Sequence, residues 1–185
     1  MLLDSGASVN RADDVNRTWL YWAAEKGFYD MVSLLLAYGA EMDRSTNWGE
    51  TPLYTAAVKG YTYVVKILLD HGANPNFVDS RNKERKTSLL RAAERGHLAI
   101  VKLLLEHTAN TNHLDRRQKT ALMYACENGH EDIVRILLDH GADVDNMDMS
   151  ERNALYYADK GWNKTIVQLL LDRGAVATAP RGTSN

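Results

Sequence analysis

The residues with the greatest chemical potential in this sequence are its six histidines, and their spacing decides whether they could bind a metal. His97 and His130 are 33 residues apart, and three others recur at similar intervals: His71, His107 and His140. We expect such residues to occupy equivalent positions in neighbouring helical units, which places them about 8–10 Å apart. Zinc requires ligand distances of about 2 Å, so these histidines cannot easily share one ion. The sequence therefore predicts no metal site.

Other catalytic patterns are also absent from the sequence. It contains no glycine-rich phosphate loop, no HExxH motif, and no serine or cysteine in a nucleophile setting. The single cysteine, Cys126, stands where an equivalent unit has alanine, so we expect it to be a small buried filler. We therefore predict that the chain is not an enzyme and binds no cofactor.

Positive charge is concentrated in the middle of the chain. Residues 1–80 carry 6 Lys/Arg and 10 Asp/Glu, residues 81–119 carry 10 and 4, and residues 120–185 carry 6 and 10. Arginine favours bidentate contacts with carboxylates and phosphates, so this band predicts a site for an acidic or phosphorylated partner. The alternative is that these charges only face solvent. The candidate basic residues are Lys83, Arg85, Lys86, Arg91, Arg95, Arg116, Arg117 and Lys119.

Aromatic residues accompany the basic band. Trp48 lies in a predicted loop tip where burial is not expected, and aromatic residues and arginine often dominate binding energy. Trp22 and Tyr124 share one column of equivalent positions, and their alternative role is to fill gaps between stacked helices. We therefore add Trp22, Trp48 and Tyr124 to the candidate partner-binding residues. The column reads Trp22, Thr55, Arg91, Tyr124 and Tyr157.

The candidate residues are positioned by a repeated unit, which is clearest at residues 51–73, TPLYTAAVKGYTYVVKILLDHGA. Shifting this stretch back by 33 residues, or forward by 36 and then by 33 twice, aligns Thr, Leu, Ala, Gly and Val columns. The chain opens within another copy, because Leu2, Leu3, Gly6 and Ala7 fall one period before Leu35, Leu36, Gly39 and Ala40. An internal period of this length predicts a stacked repeat protein.

Each unit is predicted to form two helices. Thr51 suits an N-cap and Pro52 the first helical position. The first helix is short and ends at a glycine nine residues after the cap, and the second carries an apolar face too wide for solvent. About twelve polar residues then lead to the next cap and predict a projecting hairpin or loop. The equivalent caps are Thr18, Thr87, Thr120 and Asn153, and the glycines that end the second helices are Gly39, Gly72, Gly141 and Gly174.

Thr108 breaks this glycine column, because repeat three reads EHTAN where the others read DHGAN or DHGAD. The position calls for φ > 0, which glycine adopts freely and a β-branched residue resists. We expect either that Thr108 is held in the left-handed region or that the turn rearranges.

The chain resembles the ankyrin repeat family. The residues that carry the resemblance are TPLY, the alanine pair followed by glycine, VV..LL..GA and the trailing Asn. The resemblance covers roughly residues 1–176, and five copies agree in register. It departs from the family pattern T-P-L-H in having no histidine at the fourth position in any copy. We expect Tyr21, Tyr54 and Tyr156 to pack there instead.

The predicted fold is therefore an all-α, ankyrin-type helix–turn–helix solenoid with projecting hairpin fingers. Repeat three is longer by three residues before Thr87, and repeat five is irregular, with Gly161–Trp162 out of step. The truncated start suggests an excised array. The predicted boundaries are a partial repeat at 1–10, full repeats at 11–43, 44–76, 77–112, 113–145 and 146–178, and a flexible tail at 179–185.

The resemblance implies a protein–protein interaction module that contacts its partner through the fingers and the concave helix face. The alternative is nucleic-acid binding by the basic band, although both acidic flanks would repel a long phosphate backbone. A regulatory or substrate-presenting segment of an enzyme is a third reading with no residue to support it. No apolar run is long enough for a membrane span, and Asp4 follows Met1 too closely for a secretory signal. We expect an intracellular location, cytoplasmic or nuclear, and either a monomeric array or a segment of a larger protein.

Overall fold

The computed structural model describes residues 8–177, so most of the predicted opening fragment and the tail at 179–185 lie outside the described residues. Within this range the chain forms ten α-helices and no strand. None of these helices combines the length and apolarity needed to cross a membrane. The helices are α1 (Trp19–Lys26), α2 (Tyr29–Ala37), α3 (Pro52–Lys59), α4 (Thr62–Asp70), α5 (Ser88–Arg95), α6 (Leu98–Glu106), α7 (Ala121–Glu127), α8 (Glu131–Asp139), α9 (Ala154–Lys160) and α10 (Lys164–Asp172).

The first helix of every pair begins at the predicted cap. The hydroxyl of Thr51 accepts a hydrogen bond from the backbone N–H of Tyr54 at 3.1 Å, and Pro52 occupies the first turn, where a missing N–H costs nothing. The side chain of Asn153 accepts from the N–H of Tyr156 in the same way, at 3.1 Å. The equivalent threonines, Thr18, Thr87 and Thr120, make the same bond, which confirms the predicted caps.

The helices form two layers around one continuous core. The odd-numbered helices pack side by side, the even-numbered helices pack likewise, and each pair is joined internally. In α1, α3 and α5 the paired alanines are almost inaccessible, so neighbouring helices approach closely. This arrangement confirms the predicted all-α solenoid. The leucines that anchor the two layers are Leu20, Leu53, Leu89 and Leu122, and Leu35, Leu68, Leu104, Leu137 and Leu170.

Glycine ends α3 and α5 for two physical reasons. Gly60 and Gly96 adopt φ of 83° and 77°, a region that other residues resist. In addition, a Cβ on Gly60 would lie 2.8 Å from the ring of His97, and one on Gly96 would lie 2.7 Å from the ring of His130. These two histidines therefore pack across the boundary between repeats, each against the glycine of the preceding unit.

Trp162 occupies the same column in repeat five, 33 residues after Gly129. Its φ is 56°, and 89 % of its surface is exposed. The preceding Gly161 has φ of −79° and does not take the left-handed role. The irregularity predicted at Gly161–Trp162 is thus a left-handed tryptophan at a glycine position.

Thr108 adopts φ of 62°, in the same left-handed region as Gly141, which has φ of 77°. The surrounding turn is unchanged, because Thr108 N–H donates to Leu105 O at 3.1 Å just as Gly141 N–H donates to Leu138 O at 3.1 Å. The first of the two expectations is therefore confirmed. Threonine is held at a glycine position without rearrangement of the turn.

Three tyrosines stand at the position where the family pattern has histidine, and two of them are buried. Tyr21 and Tyr54 are buried, whereas Tyr156 is only partly covered. The hydroxyl of Tyr21 donates to Glu50 at 3.0 Å. The hydroxyl of Tyr54 accepts from Arg91 at 2.6 Å, so Tyr21 and Tyr54 each connect a helix of one repeat to the loop or helix of the next.

The loop tip that precedes each helix pair is a five-residue turn, and we call these turns fingers one to five. In finger four the carboxylate of Asp115 accepts hydrogen bonds from Arg117 N–H at 2.7 Å and Lys119 N–H at 2.9 Å. The fourth residue of every finger has positive φ, and only finger two uses glycine there. Among the described residues the only β-bridge joins Ala12 and Thr18, so the fingers are closed turns and not extended hairpins. The fingers are residues 13–17, 46–50, 82–86, 115–119 and 148–152.

Backbone hydrogen bonds join the tips of neighbouring fingers in three places. The N–H of the second residue donates to the C=O of the third residue of the preceding finger, as Arg116 does to Glu84 at 2.9 Å and Met149 does to Arg117 at 3.0 Å. Asn47 and Val15 make the same bond at 3.0 Å. Between fingers two and three the equivalent groups are Lys83 N–H and Trp48 C=O, and within residues 8–177 neither makes a hydrogen bond. The row of bonds is therefore interrupted at this boundary.

The three extra residues of repeat three lie beside this interruption. Asn76 and Asn82 are six positions apart, whereas the equivalent Asn112 and Asp115 are three positions apart, so the insertion falls before the finger tip. It folds back onto the preceding repeat. The hydroxyl of Ser45 donates to Asp79 at 2.6 Å and accepts from Arg81 at 2.9 Å.

Candidate functional site

Four basic side chains at the tips of fingers three and four are exposed, and we call them the fingertip cluster: Lys83, Arg85, Arg116 and Arg117. None of the four takes part in a salt bridge within residues 8–177. Two backbone contacts fix their spacing, because Arg116 N–H donates to Glu84 O at 2.9 Å and the ring of His113 lies 2.8 Å from the C=O of Arg85. The cluster can therefore present unpaired cations to a carboxylate or phosphate.

Lys86, which the sequence grouped with these residues, lies below them. It is only 7 % exposed, and its ammonium group is 3.0 Å from Glu94 and 3.8 Å from Glu84. Its charge is already neutralised inside the groove. Burial and pairing leave Lys86 little surface for a partner, so its assignment as a partner-binding residue stays a prediction without support from this geometry.

Lys119 is buried in the same way, with 5 % of its surface exposed. Its ammonium group forms an ion pair with Glu127 and lies 4.4 Å and 4.0 Å from the ring centroids of Tyr124 and Tyr157. Cation–π contacts of this geometry stabilise a buried ammonium. Lys119 therefore joins repeats four and five, and its assignment as a partner-binding residue stays a prediction without support from this geometry.

Tyr124 lies between these two lysines, with the ammonium of Lys86 4.2 Å from its ring centroid. Its hydroxyl donates a 2.7 Å hydrogen bond to Asp115. Burial, together with that hydrogen bond and the charge of Asp115, raises the pKa of Tyr124 well above its usual value. Tyr124 is buried and so forms a neutral, rigid floor for the groove, with little surface left for a partner.

The groove above Tyr124 is a first cleft of about 560 Å³ between fingers three and four. Its mouth carries three members of the fingertip cluster, and its floor carries the neutralised pairs. The lining residues are Lys83, Glu84, Lys86, Glu94, Asp115, Arg116, Arg117, Lys119, Tyr124, Glu127 and Met149.

Arg91 is held by three neighbours at the next boundary. Its guanidinium donates to the hydroxyl of Tyr54 at 2.6 Å, to Glu94 at 2.9 Å and to Glu84 at 2.7 Å. Burial alone would lower the pKa of Arg91, but these hydrogen bonds and charges outweigh it and raise the pKa. Burial would likewise raise the pKa of Glu94, but its bonds to Lys86 and Arg91 lower it below the ordinary value. Arg91 is therefore charged but already paired.

Trp48 stands on the rim of a second cleft, of about 440 Å³, between fingers two and three. It is 55 % exposed, as the sequence predicted for a loop tip. Lys83 lines both clefts, so the two are adjacent along the fingers. The second cleft is lined by Asn47, Trp48, Glu50, Tyr54, Arg81, Asn82, Lys83, Glu84 and Arg91.

Trp22 and Arg95 are not brought together with the fingertip cluster. Trp22 is partly buried in repeat one, where the guanidinium of Arg17 lies 4.2 Å from its ring centroid. Arg95 is exposed at the last residue of α5, one helix length from the fingers, and lines neither cleft. Their assignment as partner-binding residues stays a prediction without support from this geometry.

Sequence reasoning missed several residues that shape the site. Glu94 and Glu127 follow Lys86 and Lys119 by eight positions in each case, and this recurring Lys–Glu spacing could have indicated internal pairing. Met149 lines the first cleft and is equivalent to Arg116 one repeat earlier, so the register alone could have found it.

The side chains that could bind a metal are dispersed over the described residues. In the part of the chain that the structure describes, no three His, Cys, Asp or Glu side chains are grouped so that they could hold a metal ion. Three histidines instead sit at helix C-termini, where the ring nitrogen of His71, for example, lies 2.8 Å from the C=O of Ile67. The equivalent contacts are made by His107 and His140.

Stacked helix pairs with projecting fingers and a groove define a helical repeat scaffold, a class whose surface serves for binding. The chain matches the family model described as Ankyrin repeats (3 copies) over residues 1–79 and 89–181. The chain belongs to the ankyrin repeat family. Ankyrin repeats are generally protein–protein interaction modules and typically not enzymes. A search of curated proteins found no match to the chain.

Proposed function

We propose that this chain binds a partner protein at fingers three and four, where an acidic or phosphorylated segment of the partner lies across the fingertip cluster. One observation carries the proposal: Lys83, Arg85, Arg116 and Arg117 are exposed without ion pairs, while the cations beneath them are neutralised. Arginine and lysine at such a rim attract carboxylates and phosphates and set the rate and specificity of association.

The buried pairs contribute by holding the rim in place. Lys86 and Lys119 pair with Glu94 and Glu127, and their ammonium groups lie 4.2 Å and 4.4 Å from the ring centroid of Tyr124. A fixed floor reduces the entropy lost when a partner binds. The cations that select the partner are therefore separate from the cations that stabilise the groove.

A charge-reversal variant tests the proposal. Lys83→Glu, Arg85→Glu, Arg116→Glu and Arg117→Glu are combined, and affinity for glutamate-rich and phosphoserine peptides is measured by fluorescence anisotropy. We expect the variant to lose binding while its helical circular dichroism is unchanged, because all four side chains are exposed.

The matched control replaces with glutamate four exposed lysines that lie away from the fingers. This control should bind as the unmodified chain does. These residues make no salt bridge within residues 8–177: Lys59, Lys102, Lys160 and Lys164. If the two variants bind equally well, the fingertip cluster is only a solvated surface and the proposal is wrong.

A further inference from the structure

The second cleft supports a more specific inference, which rests on the proposed function. We propose that it binds an extended peptide segment of the same acidic partner through Lys83 N–H, Trp48 C=O and the indole of Trp48. The occupant is a peptide that carries an acidic residue next to an apolar one.

The first observation is the interruption in the row of bonds between fingers. At the other three boundaries these backbone groups satisfy one another at 2.9–3.0 Å. Between fingers two and three, one donor on Lys83 and one acceptor on Trp48 make no hydrogen bond within residues 8–177. A peptide group also offers one acceptor and one donor, so an extended backbone can pair with both, as when a strand is added to an open edge.

The second observation is that the gap is fixed. Asn82 N–H donates to Asp79 O at 3.0 Å, and Asp79 is bonded to Ser45 of the preceding repeat at 2.6 Å. A Cβ on Gly49 would lie 2.6 Å from the backbone nitrogen of Asn82, so the two fingers already touch beside the gap. The open groups are therefore held in place before a ligand arrives, which lowers the entropy lost on binding.

The residues that line the second cleft determine which side chains of the peptide fit there. Trp48 contributes an exposed indole that can cover an apolar side chain. Lys83 contributes the unpaired charge and lines both clefts, so it connects this site to the fingertip cluster. Arg91 at the floor is already bonded to Tyr54 and paired with Glu84 and Glu94, so its charge is compensated. An acidic residue at Lys83 and an apolar residue at Trp48 fit these walls.

Two substitutions of Lys83 separate the contribution of its backbone N–H from that of its charge. Lys83 is the second residue of a turn closed by Arg85 N–H to Asn82 O at 3.0 Å, a position that proline favours. Lys83→Pro removes the charge and the N–H, whereas Lys83→Ala removes only the charge. The probe is the peptide Ac-Glu-Glu-Leu-Glu-Glu-NH2, titrated into nitrogen-15-labelled protein and followed by NMR.

We expect the peptide to shift the Lys83 amide and the Trp48 indole signals of the unmodified chain. Lys83→Pro should bind about fivefold more weakly than Lys83→Ala, which corresponds to the net loss of one hydrogen bond. Trp48→Ala should also weaken binding, while Trp162→Ala, which removes another exposed indole far along the chain, should not.

The outcomes separate the two proposals. Equal affinity of Lys83→Pro and Lys83→Ala, or peptide binding that leaves the Lys83 amide and Trp48 indole unmoved, overturns the inference. If that binding is still lost in the four-site fingertip variant, the proposed function stands. Binding that persists in the fingertip variant overturns the proposed function, and no shift at any residue overturns both.

Discussion

The ammonium group of Lys86 lies 3.0 Å from the carboxylate of Glu94, on the floor of the first cleft and below the exposed Lys83. Two lysines three positions apart in one finger therefore have different roles. Lys86 stabilises the groove, and Lys83 faces solvent.

Replacing each lysine by methionine separates these roles. Lys86→Met keeps the aliphatic volume but removes one partner of a buried pair, so the free energy of unfolding should fall by about 1–3 kcal/mol. Lys83→Met at the exposed position should change it by less than about 0.5 kcal/mol. Urea denaturation monitored by circular dichroism measures both, and equal effects would contradict the assignment.

Thr108 and Gly141 provide a reciprocal test of backbone strain. Thr108→Gly should raise the free energy of unfolding by about 1 kcal/mol. A φ of 62° costs a β-branched residue about 1–2 kcal/mol, and the greater entropy of glycine in the unfolded state offsets part of the gain from removing that cost. Gly141→Thr should lower it by about the same amount, since no atom lies within 4 Å of a Cβ placed there. Thermal and urea denaturation should agree. An unchanged Thr108→Gly variant would show that this turn carries no strain.

Asp148 should contribute to acid sensitivity. Burial alone would raise its pKa, but hydrogen bonds from Arg152, Tyr157 and Ser150 outweigh it and hold the pKa at about 2, below the ordinary 3.8. Because the folded pKa is lower than the unfolded one, the stabilisation is complete above pH 3.8 and is lost as the pH falls toward about 2. Asp148→Asn should therefore lose less stability than the unmodified chain over this interval, measured by urea denaturation at each pH.

Asp43 is a control of opposite sign for that experiment. Burial raises the pKa of Asp43 despite its hydrogen bond from Asn74 N–H. A group with a raised pKa destabilises the fold when ionised, so its contribution improves as the pH falls. Relative to Asp43→Asn, the unmodified chain should therefore gain stability on acidification. A common direction for both variants would show that at least one of the two carboxyls does not titrate as described.

Salt dependence distinguishes a protein partner from nucleic acid. Four unpaired cations can neutralise at most about four phosphates, which gives a slope of log affinity against log salt of about −3.6 on duplex DNA. With acidic flanks on both sides, we expect no measurable duplex binding at about 0.15 M salt. Duplex binding with that slope, abolished in the four-site fingertip variant but not in the lysine control, would favour the nucleic-acid alternative.

The helix pairs and their ends could be predicted from sequence because their causes are local. The bond from Thr51 to Tyr54 spans three residues, and the left-handed φ at Thr108 follows from one column of an aligned repeat. Register in a stacked array then places each column in space without further information. The fold was therefore accessible from the period alone.

Which cations are buried and paired, and which are exposed, could not be predicted from the sequence in the same way. Lys86 and Lys83 look alike in sequence, but burial of Lys86 depends on Glu94 in the next helix and on Tyr124 in the next repeat. The open groups at Trp48 and Lys83 depend on how the insertion folds onto Ser45. These relations join distant segments, and periodicity does not determine them.

Trp162 has a consequence for how long such an array can grow. At Gly60 and Gly96 the space beside the glycine is filled by a ring from the following repeat, at 2.7–2.8 Å from where a Cβ would stand. Trp162 stands in the same column and carries a large side chain where those units have glycine, so a ring from a sixth unit in the same register would meet it. In the vocabulary of polymer growth, Trp162 hinders addition in this register, and grafting a further repeat onto this chain should first require Trp162→Gly.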